Sequence, residues 1–540
     1  MNNNLKRTSV WLPLFLAIAF CAGLFVGSFY FPRFTGSEAQ SKIDAIMSHI
    51  SEEYVDEVNT DSLLEASIPD ILAKLDPHTT YISSQDLQSV NEELEGSFCG
   101  IGISFNMLTD TITVLEVISG GPSEKVGLMA GDRIISINDT VVAGQKWSNE
   151  KVISHLRGER DTEVTLGVMR ATSPKLLKFK VVRGDIPVTS IDATYLLSDG
   201  TGYIKVNKFG RNTYSEFLNS MVELRDKGAQ RYMIDLRGNG GGYMEPAILM
   251  ANEFLEAGRP IVETRGRTDI SETSAVSDGT GAFTQYPLVV VIDEFSASAS
   301  EIFAGAIQDN DRGVVVGRRS FGKGLVQRQI ELPDHSAIRL TTARYYTPSG
   351  RCIQKIYTPG ALKSYDMEIV DRYNNGEIFS ADSVHLDKTK KFLTLGGRTV
   401  YGGGGIMPDV FVPNDTTGLS TYYLNVLNAG LMQKYAFHYT DRERERLLKA
   451  SSTAELLKLL PSDDILLQDF ANFARDTEGI APRWYYINIS RNLIVSQLKA
   501  LIARDMLGTS SFYEVYNDFD PMILRANKEF STQIIDLPKD

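Results

Sequence analysis

Leu288-Val289-Val290-Val291-Ile292-Asp293 runs, two residues later, into Ser296-Ala297-Ser298-Ala299-Ser300-Glu301, and the chain then reaches Phe321-Gly322-Lys323-Gly324-Leu325-Val326-Gln327. The first segment is an apolar run of strand length. The serines among small residues open a helix-like run, Ser298 to Asp309, and Gly313 to Gly317 is strand-like again. Gly202–Val206 and Arg231–Leu236 are further apolar runs of strand length. Helical patterns at Tyr214–Lys227 and Tyr243–Leu255 lie between them, and Ile338–Tyr346 is another strand candidate. Apolar strands alternating with helices predict an α/β body over residues 185–414, with its sheet covered on both faces.

The flanking regions differ in character. Residues 40–95 read as helical from Ile43, Ile46, Met47 and Ile50 onward to Leu75, where Asp76-Pro77 breaks the pattern. Residues 96–184 hold short strands, glycine turns and a helix candidate from Asn149 to Arg157, which predicts a small separate β domain. Residues 415–540 are polar and helical in pattern, without a chemical motif. A chain of 540 residues accommodates this multidomain plan.

Residues Trp11 to Phe31 carry no charge and follow Lys6 and Arg7. The run is long enough to cross a bilayer, for which about 20 residues suffice. The basic flank predicts a signal anchor over residues 1–39, with everything after about Arg33 outside the cytoplasm, in a periplasmic or extracytoplasmic space. A cleaved signal remains open, although Glu38 sits beside the candidate cleavage point at Ala39. The net charge of −13 argues against nucleic acid as a partner. Beyond Cys21, only Cys99 and Cys352 remain, and two thiols do not make a disulfide framework.

The chemistry concentrates in the opening stretch. A serine hydroxyl needs a base to become a nucleophile. None of the six histidines (His49, His78, His155, His335, His385, His438) sits in a partner motif, and no Gly-x-Ser-x-Gly elbow occurs. Lysine is the alternative base, provided an apolar pocket lowers its pKa. Phe321, Leu325 and Val326 supply apolar neighbours for Lys323, and Gln327 can accept a hydrogen bond from its amine. The plainer readings are a helix cap for Ser298 and a surface turn for Lys323. A phosphate-binding reading of Gly317-Arg318-Arg319-Ser320-Phe321-Gly322-Lys323 fails because Gly324 stands where Ser or Thr must hold magnesium. Asp235-Leu236-Arg237-Gly238-Asn239-Gly240-Gly241-Gly242 ends a strand and opens a helix, and its backbone N–H groups suit an oxyanion.

Six ordered segments together resemble the carboxyl-terminal processing, or tail-specific, proteases over residues 45–415. They are Leu75–Tyr81, Gly100-Ile101-Gly102, Asp235–Gly242, Ser296–Glu301, Phe321–Gln327 and Tyr346-Thr347-Pro348-Ser349-Gly350-Arg351. The resemblance implies an α/β protease core with a mixed sheet at 185–414 and an inserted PDZ-like β domain at 96–184. It implies Ser298 as nucleophile, Lys323 as base, Gln327 as the residue that orients it, and Asp309 as a supporting acid. The oxyanion hole would use the N–H groups of Ala299 and of Gly241 or Gly242; Gly240 stands where relatives often carry proline. Gly100, Ile101, Gly102 and Ile103 would form the loop that takes a peptide's terminal carboxylate. The implied partners are unstructured proteins with apolar C-termini, the membrane through the amino-terminal helix, and an adaptor or a second copy. Neither metal nor cofactor is implied. The competing expectation is a non-catalytic PDZ scaffold at the membrane.

Overall fold

Leu288–Ile292 is buried at every residue in the computed structural model, as is Thr201–Val206. The model describes residues 38–107, 110–170, 173–268 and 272–531. The apolar run Trp11 to Phe31 lies outside the described residues. Six strands form the central sheet in this order: β1 (Ile191–Leu196), β2 (Thr201–Val206), β3 (Arg231–Asp235), β4 (Leu288–Ile292), β5 (Val314–Gly317) and β6 (Val410–Phe411). β1 is antiparallel to β2 and the other pairings are parallel, so the sheet is mixed.

Alternate residues of one strand point to opposite faces, and each face has its own cover. Ile204, Ile234, Val290, Ile292 and Val315 pack against α1 (Thr213–Asp226), α2 (Met244–Asn252) and α3 (Ala299–Asp309), through Phe217, Met221, Met250, Phe303 and Ile307. Tyr203, Met233, Val289, Val291, Val314 and Val316 face the other way. Loss of either cover would expose side chains whose burial contributes about 1.5–3 kcal/mol each.

A second, antiparallel sheet holds Thr80–Ile82, Ala337–Tyr346, Pro260–Gly266 and Thr273–Val276, with Leu325–Glu331 also paired to Ala337–Tyr346. The strand Thr80–Ile82 lies within residues 40–95, whose pattern reads as helical up to Leu75. Its short β-prone triplet follows the Asp76-Pro77 break and borrows a ladder from Ala337–Arg339. Beside it α4 (Leu362–Asn374) packs against the loop that leads into Leu325.

The β domain leaves and re-enters the core side by side, because Ser97–Gly100 pairs antiparallel with Gly184–Pro187. Its own sheet runs Ile103–Asn106, Ile112–Val117, Arg133–Ile137, Glu163–Met169, Leu177–Val182, with Thr140–Val141 on the side of Arg133–Ile137. Helix Asn149–Leu156 buries Val152 and Leu156 in its core. Ile103–Asn106 is an end strand of that sheet.

Glu38–Glu53 and Thr60–Leu72 are helices of a separate unit that ends at Leu72; residues from Ala73 onward form the other. The carboxyl-terminal region is helical from Thr421 on and has its own core around Tyr435, Phe470, Leu498 and Ile502. Its last two helices are α5 (Thr509–Tyr516) and α6 (Pro521–Glu529). Met522, Ile523 and Ala526 of α6 cover the second face of the central sheet. Cys99 and Cys352 are both free thiols.

Candidate active site

β4 ends at Ile292 and α3 begins at Ala299, and Ser298 turns the chain between them with φ 55° and ψ −112°. Such a conformation strains any residue with a Cβ and marks functional elbows. The three serines divide their work. Ser296 and Ser300 are fully buried, and their hydroxyls donate to Leu236 O and Asn239 O, each at 2.9 Å. Ser298 alone of the three retains partial exposure.

Glu301 stands three residues beyond Ser298. It accepts the Ser298 N–H at 2.9 Å, the reach-back of a capping box. The same carboxylate accepts Lys323 N–H at 2.9 Å, Gly322 N–H at 2.8 Å and the Ser320 hydroxyl. One buried group thus holds both the serine elbow and the lysine loop. Burial pushes its pKa up, against the pull of these donors. The buried Tyr345 hydroxyl adds a second tie, lying against the carbonyls of Ser298, at 3.1 Å, and Lys323.

Lys323 Nζ donates to Gln327 Oε1 at 3.0 Å, and Gln327 Nε2 in turn donates to the His78 carbonyl. Desolvation lowers the Lys323 pKa, and the Arg339 charge adds to the effect, while Glu301 and Asp76 oppose it. His78 belongs to the site although its sequence context carried no motif. Burial, then the Lys323 charge, pushes its ring down to about 4, and the ring meets the Tyr365 hydroxyl at 2.8 Å. Only the Leu75–Tyr81 segment as a whole signalled its relevance. The loop is held from its other side by Arg372 of α4, which donates to Ser320 O at 2.8 Å and Phe321 O at 3.0 Å. Gly324 N–H donates to Gln354 Oε1 at 2.8 Å. A strand, Leu325–Glu331, follows this loop, where a phosphate-binding loop would open a helix.

The glycine loop after β3 lies against the elbow. Ala297 N–H donates to Asn239 O at 3.0 Å. Gly241 has φ 101°, and a Cβ there would stand 2.7 Å from Ser298 Cβ and 2.8 Å from Ala297 O, so only glycine fits. The Gly241 N–H donates to Asn239 Oδ1 at 2.8 Å and is therefore already occupied. Gly242 follows at φ 141°, and Ala299 opens α3 as a first-turn donor. A Cβ on Gly240 would meet nothing within 4 Å.

Asp309 closes α3, at the other end from Ser298, about 16 Å away at 1.5 Å per residue. It pairs with Arg351 at 2.8 Å, both fully buried, and also accepts the Thr347 hydroxyl and the Ser349 N–H. It therefore holds the Tyr346–Arg351 turn in place and does not reach Lys323. In the β domain, the Ile101 and Gly102 carbonyls accept from Ser123 N, at 2.9 Å, and Ile118 N, at 3.1 Å, which fixes the Gly100–Ile103 loop beside the end strand Ile103–Asn106.

The peptidase family S41 model matches residues 200–361, a PDZ domain model matches 99–181, and a family of unknown function (DUF8443) matches 422–508. The chain is 35% identical over 350 residues to a carboxy-terminal-processing protease of Bartonella bacilliformis, covering 62% of this chain and 79% of that one. It is 33% identical over 321 residues to the carboxy-terminal processing protease CtpB of Bacillus subtilis, covering 59% and 66%. Among solved structures, a photosystem II D1 C-terminal processing protease aligns with 70% of this chain and 94% of its own, at 24% identity and a TM-score of 0.34.

The Asp309 pair yields a stability prediction. Asp309→Ala strands the Arg351 guanidinium in the core, and breaking such a pair costs about 3–5 kcal/mol. Urea unfolding should show a loss of that size, and a loss below about 1 kcal/mol would contradict the structural role.

Proposed function

This chain belongs to the carboxy-terminal processing proteases of peptidase family S41, and from that premise we propose that it is a serine endopeptidase with a serine–lysine centre. The observation that carries the reading is the shared grip of Glu301 on Ser298 N–H and Lys323 N–H, with the half-buried lysine amine aimed by Gln327. A lysine whose pKa is lowered holds a larger neutral fraction near pH 7 and can accept a proton.

The neutral Lys323 amine takes the Ser298 hydroxyl proton as Oγ attacks the scissile carbonyl. The oxyanion that forms is met by the N–H groups of Ala299 and Gly242; the Gly241 N–H is engaged with Asn239 and shapes the turn instead. The lysine ammonium returns its proton to the leaving amine, which departs and leaves an acyl-enzyme. Water then attacks the ester carbonyl, Lys323 accepts its proton, and Ser298 is released with the new carboxylate.

The substrate would enter as an added strand on Ile103–Asn106, its terminal carboxylate on the Gly100–Ile103 loop. The preferred substrates are unstructured, apolar C-terminal tails. The basic flank and apolar run Trp11 to Phe31 support an anchored, extracytoplasmic enzyme that acts on exported proteins. The scaffold alternative is disfavoured because serine, lysine and glutamine are all present and connected.

The native protein should cleave an unstructured protein with an apolar tail, whereas Ser298→Ala and Lys323→Arg should fall to background by mass spectrometry. A guanidinium stays charged at neutral pH, so activity in the arginine variant would remove the lysine from the mechanism. Amidating the substrate's C-terminus should raise KM by about tenfold or more, the effect of losing one charged hydrogen-bonded anchor; an unchanged KM would detach the PDZ loop from recognition. The base works only when neutral, so kcat/KM should rise with pH through the Lys323 pKa. The Arg339 charge lowers that pKa, so Arg339→Gln should move the acid limb to higher pH. A limb that stays in place or moves down would contradict the assignment.

A further inference from the structure

The glycine loop that abuts Ser298 is held from a distant part of the chain. Arg237, at its start, donates from Nη2 and Nε to the fully buried carboxylate of Asp235, at 2.7 Å and 3.0 Å. Its remaining nitrogen, Nη1, donates to Asp520 Oδ2 at 2.7 Å. Asp520 is the cap of α6: its other oxygen accepts Met522 N–H at 2.9 Å and Ile523 N–H at 3.3 Å. The backbone around Arg237 is equally fixed. Its N–H donates to Asp235 Oδ1 at 2.9 Å, its carbonyl accepts from Lys205 Nζ, and the next N–H, of Gly238, donates to Asp293 Oδ1 at 2.9 Å. Asp235, Asp293 and Asp520 thus surround the start of the loop together with Lys205 and Arg237. Without Asp520, Arg237 loses the charged partner that fixes the outer edge of its fork.

We propose that Asp520 is a positioning residue for the oxyanion loop. Held by Asp520 on one side and Asp235 on the other, Arg237 keeps the Arg237–Gly242 turn in the register that sets Gly241 against Ser298 and Ala299. The inference rests on the serine–lysine reading and extends it: proton transfer is prepared by Glu301, whereas charge stabilisation is prepared by a helix more than two hundred residues further along the chain. Asp520 caps α6, which packs on the central sheet through Met522 and Ile523.

Asp520→Asn and Asp520→Ser test this in the full chain, because both side chains still cap a helix while neither carries the charge. Turnover is measured per active site titrated with a fluorophosphonate, alongside the affinity of a peptidyl boronate and of the carboxylate-ended product peptide. Both variants should lose about tenfold to a hundredfold in kcat, the scale of a small misplacement. The boronate, which mimics the tetrahedral state, should weaken by the same factor, while KM and product-peptide affinity stay unchanged. Ile523→Val loosens the packing of α6 but keeps the carboxylate; it should lower the melting temperature and leave kcat alone. Unchanged boronate affinity in both Asp520 variants, or an equal kcat loss in Ile523→Val, would overturn the proposal. Failure of the native protein itself to cleave or to bind the boronate would instead bring down the serine–lysine reading, and this inference with it.

Discussion

The Glu301 carboxylate is the interaction on which the site depends. It is fully buried and receives N–H groups from Ser298, Gly322 and Lys323 together with the Ser320 hydroxyl. An ionised carboxylate out of contact with water is costly unless its lone pairs are satisfied, and these four donors satisfy them. The consequence is geometric. A strained serine elbow and a glycine-flanked lysine share one anchor, so neither moves without breaking hydrogen bonds to that carboxylate. Tyr345 repeats the link through the two carbonyls, and Arg372 holds the loop from behind.

The rest of the fold serves this arrangement. β4 delivers the elbow and β3 delivers the glycine loop, and the two strands are parallel neighbours. Both loops therefore emerge at the same edge of the sheet, where parallel strands commonly build sites. The second sheet brings Gln327 and, through the Thr80–Ile82 segment, His78 to the lysine. The terminal helices close the other face of the central sheet, so residues far apart in sequence share the support of one loop.

Much of this was legible because the chemistry is written in short local motifs. Ser298 stands at a strand-to-helix junction, Lys323 sits between glycines with apolar neighbours, and Gln327 lies four residues on. The alternating apolar strands announced a sheet with two covered faces, which β2 and β4 display residue by residue. What was hidden is long-range. Glu301 reads locally as a capping residue; its grip on Lys323 arises only when β5 returns the chain beside α3. The Thr80–Ile82 strand exists because Ala337–Arg339 offers it a ladder. Met522, Ile523 and Ala526 look like one apolar stripe among several in a helical tail, and nothing local marks them as cover for the core. Asp309, implied as a supporting acid by the resemblance, fixes the Arg351 turn at the far end of its helix.

The central proposal is that Lys323 serves as the base for Ser298. Its most direct test is a titration of the Lys323 ammonium in the full-length protein, by NMR of nitrogen-labelled lysine with the resonance assigned through Lys323→Arg. The account predicts a pKa below the ordinary lysine value of about 10.4, with the proton lost as the environment in Lys323's pocket disfavours the charge. A value at or above the ordinary one would contradict it, because the amine would then be charged and unable to accept the serine proton at neutral pH.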